Sequence, residues 1–141
     1  MDPLYLFLAI MAGVFTTIES SINSQLGKYL SPGVAALHSL IVGLLFMMFF
    51  TAAKGDISRY TKVVNVKPFW LIGGIFGAMI IYLSSKSIPV LGISNTLILI
   101  LAGQLLSGLV LDVVVLNAEV SVKKMTGAIL FLIGAIIFIR D

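Results

Sequence analysis

Five long apolar runs, separated by short polar breaks, account for nearly the whole chain. The first extends from Leu4 to about Leu30 and stops at Ser31-Pro32-Gly33, where proline cannot continue the incoming helix but can open the next. At 1.5 Å per residue this run is roughly 40 Å long, enough to cross a bilayer with some tilt. A second run, 33–53, ends at Lys54-Gly55-Asp56, where charge and a flexible residue coincide. The longest polar connection, residues 54 to 68, follows. Pro68 suits the first turn of a third helix over 68–87, with Phe69 and Trp70 at headgroup level. A short turn, Ser87 to Gly92, leads to a fourth helix over 94–115 that should run antiparallel to the third. The fifth, 122–139, is the shortest and most uniformly apolar, as suits a packing helix. The pattern predicts an all-α integral membrane protein, a single transmembrane domain over 1–141 with five transmembrane helices and no soluble domain.

Composition agrees: 60% of residues are hydrophobic and 11% charged, far from the near-half apolar, quarter-charged balance of a soluble domain. The net charge of +3 comes without a basic stripe interleaved with aromatics, so the expected partner is the lipid bilayer and not nucleic acid. Cysteine is absent, which removes disulfides, thiol redox centres and cysteine-bound metals. The start, Met1-Asp2-Pro3, lacks a basic segment and the apolar run lacks a small-residue cleavage site, so the first helix reads as retained. Lys54, Arg59, Lys62, Lys67, Lys123 and Lys124 fall on the side of the N-terminus, against Lys28, Lys86 and Arg140 opposite. The positive-inside rule then puts the N-terminus in the cytoplasm and the C-terminus outside.

The polar groups inside the runs are the candidate chemistry. Glu19 lies near the middle of the first helix, and a charged carboxylate at the bilayer centre costs on the order of 3 kcal/mol. Helical spacing aligns Ala12, Thr16, Glu19 and Asn23 on one face, with a hydroxyl one turn before the acid and an amide one turn after. Removal from water disfavours the charged form of a carboxylate, which is how an intramembrane acid exchanges a proton for a substrate. The plainer alternative is a protonated acid that only bonds a neighbouring helix. If the first two helices form a hairpin about residue 31, His38 lies level with Ser24, and Gly43 with Glu19. His38, beside Ser39, can relay protons or gate a mouth, or simply bond at the interface. On the fourth helix Gln104, Ser107, Gly108 and Asp112 form a polar stripe that excludes Asn95. Gln104 can meet a substrate or another helix, and Asp112 can reach water or pair with Lys123 or Lys124. Gly73 with Gly77, and Gly103 with Ser107, have the small-xxx-small spacing of helix packing, within the chain or at a dimer interface.

The sequence contains no phosphate-cradling loop, no metal-ligand spacing, and no nucleophile with its base. It therefore reads as a protein that is not an enzyme and holds no cofactor or metal. There is also no internal repeat, so a symmetric transport pathway would need a second copy.

The segment Glu19 to Leu26 with Asn23, then Pro32, Ala35, Ala36 and Gly43, Pro68-Phe69-Trp70 with Gly73-Gly74 and Gly77, Pro89-Val90-Leu91-Gly92, Gly103-Gln104, Ser107, Asp112, Gly127 and Gly134 together resemble the YdcZ-type family. These are five-helix, single-repeat bacterial membrane proteins of the drug/metabolite transporter superfamily. The resemblance covers essentially the whole chain and implies a half-transporter, similar to one repeat of the ten-helix transporters. It implies a homodimer, antiparallel or otherwise, or a pair with a related chain, in the bacterial inner membrane. The chain departs from the pattern where Glu19 replaces a more usual glutamine, and where Val113-Val114-Val115 replaces an aromatic-glycine stretch. A proton-carrying acid would thus belong to this chain and not to the family.

The resulting expectation is a secondary active transporter subunit that moves a small organic solute by alternating access. Glu19, Asn23, Thr16, His38, Gln104 and Asp112 would line its pathway. The alternatives are a non-transporting partner subunit, a small multidrug-type antiporter, against which the fifth helix argues, and a passive channel.

Overall fold

A computed structural model describes residues 2–140; Met1 and Asp141, the ends of the expected 1–141 domain, lie outside it. The described chain forms α1 (Pro3–Tyr29), α2 (Pro32–Ala53), α3 (Gly73–Leu91), α4 (Ile93–Val114) and α5 (Val122–Ile139), with no strand among the described residues. Two 3₁₀ segments, Ile57–Asn65 and Pro68–Ile72, join α2 to α3. Five stretches are long and apolar enough to cross a membrane, the third of them running from Pro68 to Leu91. The protein is an all-α membrane protein.

The helix ends have local causes. Asp2 accepts a hydrogen bond from the Leu4 amide and Pro3 follows it, so the first turn of α1 has an acceptor for one orphan N–H and a fixed φ. Ser31 caps α2 by accepting from the Val34 amide at 3.3 Å. Its backbone sits at φ 142°, ψ 155°, a region that only glycine enters freely. At the far end of α2 the Gly55 amide donates to Ala52 O at 2.9 Å and the Asp56 amide to Thr51 O at 3.0 Å. This is a Schellman ending, and Gly55 supplies its required positive φ of 74°.

The third helix departs from the sequence reading. It does not stop at Ser87 but continues through Pro89 to Leu91. Pro89 forfeits the bond that the Ser85 carbonyl would accept and sets its ring against that carbonyl, yet the helix runs on through Val90 and Leu91. The break falls on Gly92, whose φ of 81° stops the chain before α4.

The chain divides into two compact units, Met1–Val90 and Leu91–Asp141. In the first, α1 and α2 pack as a hairpin. Its buried positions are Ser20, Asn23 and Ser24 of α1, Ala35 and Ala36 of α2, and Ser84, Ser85 and Ile88 of α3. Short side chains allow the close backbone approach that dispersion in a bilayer requires. At the turn, a methyl group on Gly27 would lie 3.5 Å from Pro32 Cα and 3.9 Å from Ala35 Cβ. Ser24 and Ser85 bury hydroxyls that have no hydrogen-bond partner among the described residues. In the second unit α5 packs on α4, burying Ala128 and Ala135, which lie on one face of α5 two turns apart. Large apolar side chains point outward along every helix, as a lipid solvent allows.

The glycine stripes do not serve packing within either unit. A Cβ on Gly73, Gly74 or Gly77 would meet no atom of the first unit within 4 Å, and the same holds for Gly103, Gly127 and Gly134 in the second. Ser107 turns its hydroxyl back onto Gly103 O at 2.7 Å. Within its own unit each of these glycines has open space beside it.

Candidate functional site

The long apolar run makes α1 a single uninterrupted helix through Glu19, and the Ser31-Pro32 break folds α2 back along it. Ser20, Asn23 and Ser24 keep the contacting face of α1 narrow, and Ala35 and Ala36 do so on α2. The hairpin brings three polar side chains together. Asn23 Nδ2 donates to Ser39 Oγ at 3.2 Å, and the Ser39 hydroxyl donates to Glu19 Oε1 at 3.4 Å. Asn23 is 3% exposed, so its amide depends on Ser39, whereas Glu19 faces outward. Among the described residues Ser39 is the hydrogen-bond partner of the carboxylate. Each bond in such a chain polarises the next, and a hydroxyl in the middle can both accept and donate. The arrangement can hold an ionised carboxylate beside an open face, or a protonated one that gives its own proton outward.

Ser39 is the member that helical periodicity missed, because spacing on one helix says nothing of the facing one. Its signal was present: Asn23 and Ser39 each stand eight residues from position 31. Thr16 lies on the expected face, but its hydroxyl is spent on Ala12 O at 2.9 Å and does not serve Glu19. His38 is exposed and lies outside the Asn23, Ser39 and Glu19 set.

The second unit holds a separate groove of about 330 Å³, lined by Gln104, Leu105, Gly108, Leu109, Asp112 and Lys124. The i, i+4, i+8 spacing puts Gln104, Gly108 and Asp112 on one face of α4. Ser121 caps α5 by accepting from the Lys124 amide at 3.3 Å, and Lys124 Nζ reaches Asp112 Oδ2 at 3.6 Å. The pair is partly exposed, so it orders the end of the groove and contributes little stability. Asn95, which the sequence reading set apart from this stripe, lines a different groove of about 510 Å³ with Gly134, Ile137 and Phe138. No cluster of metal-ligating side chains exists among the described residues.

Residues 4–137 match the family described as "Putative inner membrane exporter, YdcZ". The chain belongs to the YdcZ family. It is 26% identical over 141 residues to the inner membrane protein YdcZ of Escherichia coli strain K12, an alignment covering 95% of this chain and 93% of that protein. No solved structure matches the chain significantly. Membership of the YdcZ family, together with five membrane-crossing helices, supports a transport role over an enzymatic one.

Proposed function

We propose that the protein is a secondary active transporter subunit of the bacterial inner membrane that moves a small organic solute by alternating access, coupled to protons through Glu19. The observation that carries this reading is the cross-helix set Asn23, Ser39 and Glu19, with a carboxylate on a membrane-crossing helix beside an open face. A carboxylate there is too costly to be left against lipid. A second chain supplies the missing wall, either another copy, parallel or antiparallel, or a related protein. The six-to-three division of basic residues supports a cytoplasmic N-terminus.

Coupling follows from competition for one carboxylate. Ionised, Glu19 accepts from Ser39 and can receive a donor group of the solute; protonated, it has lost one acceptor and the charge that held that donor. A solute arriving on one side displaces a proton, and a proton arriving on the other displaces the solute. Gln104, in the groove of α4 and α5, offers an uncharged donor and acceptor as the candidate solute contact of the second unit.

A thermal-stability screen over a solute library identifies a ligand, since binding to the native state raises its apparent stability. In proteoliposomes, Glu19→Gln should then abolish exchange of that ligand driven by a pH gradient while leaving the protein folded. Unchanged coupled flux in this variant would remove the proton role from Glu19.

A further inference from the structure

The connection between α2 and α3 has a feature that transport does not require. In a 3₁₀ helix residues three apart eclipse one another, so Ile57–Asn65 presents three stripes about 120° apart. One is apolar, Ile57, Tyr60 and Val63; another is Arg59, Lys62 and Asn65, which is cationic. Val63 is half-buried while Tyr60 is 73% exposed. Both ends of the connection are tied to membrane-crossing helices, so it lies at a membrane–water boundary.

Charge is concentrated there. Residues 54–70 hold four of the nine basic side chains and one acid, a balance of +3 that equals the net charge of the whole chain. Asp56 is engaged with Arg59 at 3.1 Å, which leaves Lys54, Lys62 and Lys67 as cations outside any ion pair among the described residues. Lys54 Nζ stands 4.5 Å from the centre of the Phe50 ring. Lys67 directly precedes Pro68-Phe69-Trp70, where Phe69 and Trp70 meet edge to face at 5.5 Å and are 72% and 68% exposed. Cations beside outward aromatic rings and an apolar stripe are the elements of an interfacial anchor for anionic lipid.

We propose that the α2–α3 connection binds the headgroups of anionic phospholipids, with Lys54, Lys62 and Lys67 holding the phosphates and Tyr60, Phe69 and Trp70 seated at headgroup depth. Each lysine contributes on the order of a fivefold preference for an anionic over a zwitterionic lipid. The site acts in either leaflet and does not depend on the transported solute.

Trp70 is the single tryptophan of the chain, so its fluorescence reports the lipids beside this connection. In phosphatidylcholine proteoliposomes carrying a minor, equal fraction of brominated phosphatidylglycerol or brominated phosphatidylcholine, the phosphatidylglycerol should quench Trp70 several-fold more effectively. The preference should shrink at high salt. It should vanish in the Lys54→Gln, Lys62→Gln, Lys67→Gln triple variant and grow in Asp56→Asn, which frees Arg59. Equal quenching by the two lipids in the wild-type protein overturns the proposal. So does a preference that Asp56→Asn and the triple variant leave unchanged, since that would place its source elsewhere.

Discussion

Ser39 joins a buried amide to a carboxylate that the bilayer would otherwise penalise. Replacing it with alanine leaves the Asn23 amide buried without its acceptor. An unpaired buried donor costs about 1–3 kcal/mol in water-soluble proteins, but side-chain bonds between membrane helices average nearer 0.6 kcal/mol. Because Asn23 is almost fully buried, Ser39→Ala should destabilise the protein by about 1 kcal/mol in a detergent thermal melt, and Ser39→Thr, which keeps the hydroxyl, should not. By contrast, Asp112→Asn should change stability by less than about 1 kcal/mol, because both partners of the Asp112–Lys124 pair are partly exposed. Glu19 and Asn23 were legible from the spacing of polar residues in an apolar run. Ser39 required the partner helix, and Thr16 shared the face yet satisfied itself on its own backbone. Periodicity locates a side chain on a helix; it does not say where the hydrogen points.

At the scale of the helices, punctuation residues decided where elements begin and end, and three of them, Ser31, Gly55 and Gly92, hold a positive φ. Ser31 combines a favourable cap with a glycine-only conformation. Ser31→Gly removes strain of order 1–3 kcal/mol and forfeits only a few tenths for the cap, so it should stabilise the protein by about 1 kcal/mol. Ser31→Ala keeps the strain and loses the cap, so it should destabilise by a similar amount. Thermal unfolding of the two variants in one detergent checks the opposite signs. The stops at Ser31-Pro32 and at Lys54-Gly55 were readable as chain breakers. Proline reads as a breaker in the sequence, yet α3 runs through Pro89 to Leu91. Proline costs least at a helix N-terminus, where its N–H would have no partner; at Pro89 the helix bears the loss, and the positive φ of Gly92 is the actual stop. The two 3₁₀ segments were hidden inside a stretch that sequence alone marked only as polar.

For the whole molecule, five membrane-crossing helices were evident from hydrophobic run length, because no soluble fold could hide so much apolar surface. What covers the outward faces was not legible, since lipid and a second protein chain ask for similar residues. The open glycine face of α3 separates them. If Gly73 and Gly77 receive a second copy, Gly73→Leu with Gly77→Leu should shift the protein from dimer to monomer in single-molecule photobleaching in bilayers; an unchanged population would assign that face to lipid. The central claim is coupled transport, and its most direct measurement is accumulation of a screened ligand in proteoliposomes under an imposed pH gradient. Accumulation above equilibrium that collapses with a protonophore is the predicted result. Equilibration without accumulation, or no flux at all, would contradict it.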